Sequence, residues 1–97
     1  MNCFERKWTQ EDALHFIAEE RDAQDEEWGE SNHDVFTWLA ILQKQLGKAS
    51  ECALDAYIAD MAGRLVQVAA VCVAALECLW RKAAMEADLA EKKGVGE

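Results

Sequence analysis

The sequence predicts an all-α fold, and three observations carry that expectation. Its 97 residues include no proline. Ala, Leu, Glu, Lys and Gln are plentiful, and few stretches are β-branched or alternate between apolar and polar residues. Apolar residues recur at Val35, Trp38, Leu39, Leu42, Leu46, Ala49 and Ala53, the i, i+3, i+4, i+7 spacing of one helix face. A chain of this length forms one domain. Residues 1–97 are therefore read as a single unit, with an N-terminal arm at 1–8 and a flexible tail at 92–97.

The first helix is expected over about 10–27. Thr9 can cap it, and Asp12, three residues on, can return a hydrogen bond to the cap. Gln10, Glu11 and Asp12 suit the positive end of the helix dipole. Leu14, Ile17, Ala18 and Arg21 fall near one face, and Gly29 follows the helix. Residues 28–33 are rich in turn formers, and Asn32 is a candidate cap for a second helix at about 34–53. A connection at 54–60 leads into a third helix at about 61–91. Its centre, residues 68–76, is apolar on every face, so neighbours must surround it. Two shorter helices can hardly enclose it alone, which predicts a homodimer or tetramer with this stretch at the subunit interface.

Composition narrows the function classes. The net charge is −9, and residues 1–34 carry most of it, with eleven acids against three Lys or Arg. Such a surface repels nucleic-acid phosphates and suits cation binding or a partner with a basic groove. Cys3, Cys52, Cys72 and Cys78 form no C-x-x-C pair and have no histidine at zinc-ligand spacing, and Cys72 and Cys78 lie in an apolar helical run, so they read as buried thiols. The start lacks the apolar core of a signal peptide. The longest apolar run, Leu65 to Leu79, is broken by Gln67 and Glu77 and falls short of a bilayer span. The expectation is a cytoplasmic protein without membrane or direct nucleic-acid contact. His15 and His33 have no Ser or Cys beside them on the same face, so nucleophilic catalysis has no support.

Three segments carry a family resemblance: Glu20-Arg21-x-x-Gln24-x-x-x-Trp28-Gly29, Trp38-Leu-Ala-Ile-Leu followed by Leu46-Gly47, and Leu65-Val-Gln-Val-Ala-Ala-Val71. Over roughly residues 14–80 the chain resembles the MazG-like all-α nucleotide pyrophosphohydrolases, especially the short phage and mobile-element type. The resemblance implies an oligomeric helical bundle and magnesium-dependent cleavage of nucleoside triphosphates between the α and β phosphates. It also implies that Glu20, Arg21, Gln24 and Trp28 line the nucleotide pocket. The alternative for two of these is structural: Arg21 in an inter-helix ion pair and Trp28 plugging the end of the core.

The family's chemistry needs E-x-x-E and E-x-x-D on two neighbouring helices. Residues at i and i+3 share a helix face, and two such pairs make a carboxylate nest for a hard, oxygen-seeking dication. The matching positions here are Gln45 and Lys48, then Arg64 and Gln67, across a fifteen-residue spacer. Two amides and two cations stand where four carboxylates are required. A cation at roughly 4–6 Å from a dication costs on the order of several kcal/mol at an effective dielectric near 20.

The leading expectation is therefore a MazG-like protein without Mg-dependent hydrolysis, which acts by binding a protein or a nucleotide. In one form of it the old site is closed, with Lys48 and Arg64 paired to acids such as Glu19, Glu20 or Glu51. In the other, both cations hold phosphate directly. A pyrophosphatase still using Mg through first-helix acids (the run 19–27) is the first alternative. An acidic, phage-type inhibitor of a nucleic-acid-binding complex is the second.

Overall fold

The structure, a computed structural model, describes residues 8–55 and 57–92. The arm before residue 8, including Cys3, and the tail after residue 92 lie outside the described residues. Among those described, the fold is all-α, with α1 at Gln10–Trp28, α2 at Val35–Leu54 and α3 at Ile58–Lys92.

The capping of α1 follows the sequence. The Asp12 amide donates to Thr9 Oγ1 at 3.3 Å, and the Thr9 amide donates back to Asp12 Oδ2 at 2.9 Å. Gly29 ends the helix with φ of +70°, a left-handed conformation that favours glycine, and its amide donates to the Asp25 carbonyl at 2.7 Å. α2 corrects the expected cap. Asp34, not Asn32, accepts the Thr37 amide at 2.7 Å, while the Asn32 side chain accepts from Arg81. The connection at 54–60 is also corrected. α2 runs on through Leu54 and α3 already begins at Ile58, so the connection is shorter than expected, Ala53, Leu54 and Ile58 being good helix residues.

α3 is the spine. At about 1.5 Å per residue its 35 residues span roughly 52 Å. Both α1 and α2 pack on it, and they do not pack on each other. α2 runs antiparallel to α3: Trp38 meets Val71, Ala75 and Cys78, whereas Cys52 lies beside the stretch 59–67. α1 runs parallel to it, with Phe16 and Glu19 near that same stretch and Arg21 bound to Glu77. The core is small. Trp38, Val71, Ala75 and Cys78 are buried together, with Ile41, Leu42 and Ala74 packed against them.

Within residues 68–76 the chain itself covers one side of the helix and not the other. Ala70, Val71 and Ala75 are covered within the chain, whereas Cys72 and Leu76 are exposed. By length and composition alone, α3 is apolar enough to cross a bilayer, with a mean hydropathy of 1.7 over its most apolar window. The run from Leu65 to Leu79 understates it, since the helix continues in both directions.

The Asp34 cap makes a pH-dependent prediction. Hydrogen bonds from the Thr37 backbone amide and then its side chain hold the Asp34 carboxyl below its usual range. A depressed folded-state value contributes stability above the unfolded pKa of about 3.9 and loses it as pH falls through the folded value. The protection factor of the Thr37 amide, its exchange measured by NMR relative to the intrinsic rate at each pH, should fall on acidification below about pH 4. Asp34→Asn keeps a capping oxygen and should remove that pH dependence. The same acid-dependent loss in the variant would contradict the assignment.

Candidate functional site

Because α1 and α2 flank α3 without touching, a groove floored by α3 lies between them. Two concavities share it. The lower, of about 950 Å³, is lined by Phe16, Glu19 and Glu20 from α1, Cys52 from α2, and the α3 stretch from Ala59 to Gln67. The upper, of about 440 Å³, is lined by Arg21, Gln24 and Trp28 from α1, Gly29, Ser31 and His33 from the following loop, Trp38, Ile41, Lys44 and Gln45 from α2, and Val71 and Ala74 from α3.

The structure brings together part of the set proposed from sequence. Arg21, Gln24, Trp28 and Gln45 meet in the upper concavity. Glu20 faces the lower one and accepts a 3.3 Å hydrogen bond from Gln24 Nε2. Arg64 and Gln67 lie in the lower one, joined by a 3.1 Å hydrogen bond from Arg64 Nη1 to Gln67 Oε1. Lys48, half-buried on α2, lines neither.

The expected closure of the site by ion pairs is not seen. Among the described residues, neither Lys48 nor Arg64 pairs with Glu19, Glu20 or Glu51. Glu19, Glu20 and Asp60 line the lower concavity beside Arg64, so its acids outnumber its cation. A phosphate gains little there.

Arg21 organises the upper concavity. Its guanidinium donates to Asp25 on its own helix and to Glu77 on α3, which makes the inter-helix ion pair that was one of its two expected roles. Burial alone lowers its pKa, but the hydrogen bonds to Asp25 and Glu77 outweigh this and hold it above its ordinary value. The Arg21 Nε is nonetheless buried with no acceptor. So is the indole Nε1 of Trp38, whose ring meets His33 edge-on with centroids 4.9 Å apart. Trp28 does not plug the core; it is 60% exposed at the rim.

The loop that closes this end is held by α3. Arg81 donates to the Ser31 carbonyl at 3.3 Å and to Asn32 Oδ1 at 2.9 Å. Lys82 Nζ donates to the His33 carbonyl at 2.7 Å, and Cys78 Sγ approaches the same oxygen at 3.6 Å. Sequence reasoning missed Glu77, Arg81, Lys82 and Trp38 as site-forming groups. Glu77 alone left a signal, as an acid inside an apolar run.

Fold and site together define a helical protein with one groove between two helices carried on a third. Comparisons with protein-family models, curated proteins and solved structures find no match to this chain.

Replacing Arg21 with Ala should destabilise the protein by about 1.5–3 kcal/mol, the usual worth of hydrogen bonds to charged groups. Glu77→Ala alone should cost less, since Asp25 still neutralises Arg21. Urea unfolding of both single variants and the double variant gives the coupling. Additive effects would show that the Arg21–Glu77 contact does not join α1 to α3.

Proposed function

We propose that this chain is a cytoplasmic, MazG-like binding module that holds a nucleoside or nucleoside monophosphate in the upper concavity and has no Mg-dependent pyrophosphohydrolase activity. One observation carries the reading: Arg21 and Trp38, whose buried Nε and Nε1 donors have no acceptor, are both among the residues lining one cavity of about 440 Å³. An unmet buried donor costs about 1–3 kcal/mol, and a ligand acceptor removes that penalty. The volume lies within the range of small-molecule pockets.

The remaining lining suits a flat heterocycle with acceptor atoms. The exposed Trp28 indole offers a stacking surface at the rim. Gln24 and Gln45 add amides that can read polar edges, and Lys44 supplies one cation for a single phosphate. Absence of hydrolysis rests on the residues at the four carboxylate positions. Gln45 and Gln67 bind a dication poorly, and Lys48 and Arg64 repel one.

Calorimetric titration with nucleosides, monophosphates and triphosphates, with and without Mg²⁺, tests this. At least one nucleoside or monophosphate should bind, with no gain in affinity from Mg²⁺. Trp38→Phe keeps an aromatic ring in the core while removing the donor and some volume, and should weaken binding about 3–10-fold with the helical far-UV signal retained. Trp28→Ala should weaken it by tenfold or more, as loss of a base stack does. No binding across the panel, or monophosphate release from triphosphates that chelator abolishes, would overturn the proposal.

A further inference from the structure

Granted a nucleoside or its monophosphate in the upper concavity, as proposed above, the polar groups that line it select the base. Three of them have a fixed hydrogen-bonding sense. Arg21 donates through Nη1 to Asp25 on its own helix and through Nη2 to Glu77 on α3. Two carboxylates on two helices therefore hold the guanidinium, and its buried Nε–H is left without an acceptor. Trp38, 5% exposed, is in the same position at Nε1. Neither group can turn into an acceptor, because guanidinium and indole carry N–H donors only. Gln24, 6% exposed, supplies the opposite sense. Its neighbour Glu20 is a carboxylate, and an ionised carboxylate only accepts. The amide must therefore turn Nε2 toward Glu20, as it does at 3.3 Å, which leaves Oε1 as an acceptor.

We propose that the concavity takes a pyrimidine, whose pairing edge meets Arg21 Nε–H, Trp38 Nε1–H and Gln24 Oε1. The count of donors and acceptors decides it. Cytosine shows one donor, its N4 amino group, and two acceptors, N3 and O2. Uracil shows one donor, N3–H, and two acceptors, O4 and O2. Either base meets two fixed donors and one fixed acceptor with nothing left over. Adenine offers one acceptor beside its N6 amino group on either edge, so one protein donor stays unmet. The pairing edge of guanine has one acceptor and two donors, so a protein donor faces another donor. Its other edge offers O6 and N7 to both donors, but brings no donor for Gln24 Oε1. Each mismatch strands a buried polar group, and a site built to hydrogen-bond one edge rejects ligands that lack it.

The other lining groups do not choose among bases. The Trp28 indole at the rim offers its face to any base. Lys44 meets a phosphate that all nucleotides share, and Gln45 can present either end of its amide. A cavity of about 440 Å³ admits either ring size, so the polar edge makes the choice and volume does not.

The test is calorimetric titration of the unaltered chain with cytidine, uridine, adenosine and guanosine 5′-monophosphates near neutral pH. At least one pyrimidine nucleotide should bind about tenfold or more tightly than both purine nucleotides. Analogues of the preferred base, as 5′-monophosphates, then probe the edge one atom at a time. For cytidine, loss of the 4-amino group removes the donor to Gln24, and 3-deaza substitution removes one acceptor. For uridine, 3-methylation blocks the donor to Gln24. Each should bind about tenfold more weakly than its parent. Gln24→Met keeps the length of the side chain and removes the acceptor, and should narrow the preference for pyrimidines with the helical far-UV signal retained. A purine nucleotide that binds as tightly as the pyrimidines, or analogues that bind like their parents, would overturn the pyrimidine assignment and leave the concavity a nucleotide site. Binding of none of the four would overturn both.

Discussion

Among the described residues, helix packs on helix only through α3. That single constraint explains the open groove, the small core and the long exposed overhang. In a closed three-helix bundle each helix packs on both others, and the interior is shared. Here α1 and α2 stand apart, so their facing sides line a cavity instead of a core. α3 must then be apolar where α1 and α2 cover it, which accounts for Ala70, Val71 and Ala75 but not for the exposed Cys72 and Leu76.

The polar contacts compensate for the missing α1–α2 packing. Arg21 fastens α1 to Glu77 on α3, and Arg81 and Lys82 fasten the loop that joins α1 to α2. All three lie at the same end, around the upper concavity. That end therefore has defined walls, and its two unmet donors sit in a held geometry. The lower concavity has no comparable clamp and carries acids, so it is the less suited of the two to an anionic or acceptor-rich ligand.

What the sequence disclosed was local. The Thr9–Asp12 capping box, the Gly29 stop and the periodicity of α2 all depend on residues within one helical turn, where spacing is decisive. The choice between Asn32 and Asp34 as cap was not decidable that way, because both are good capping residues and the outcome turns on Arg81 claiming Asn32 from 49 positions away. The pairing of Arg21 with Glu77 spans 56 positions and leaves no periodic trace. The upper concavity was half legible, through Arg21, Gln24, Trp28 and Gln45. The orphaned Trp38 donor was not, since its apolar ring reads simply as core. Residues 68–76 were recognised as needing neighbours, but which of them the chain covers itself follows from where α1 and α2 sit.

The central claim, that α1 and α2 are joined only through α3, is tested most directly by native-state hydrogen exchange on the Arg21→Ala variant. If the claim holds, α1 amides exchange faster while those of α2 keep their protection, and the α3 amides around Val71 to Cys78 remain the slowest in the chain. Equal acceleration of α1 and α2, with α3 unchanged, would mean that the two flanking helices open as one unit and would contradict it.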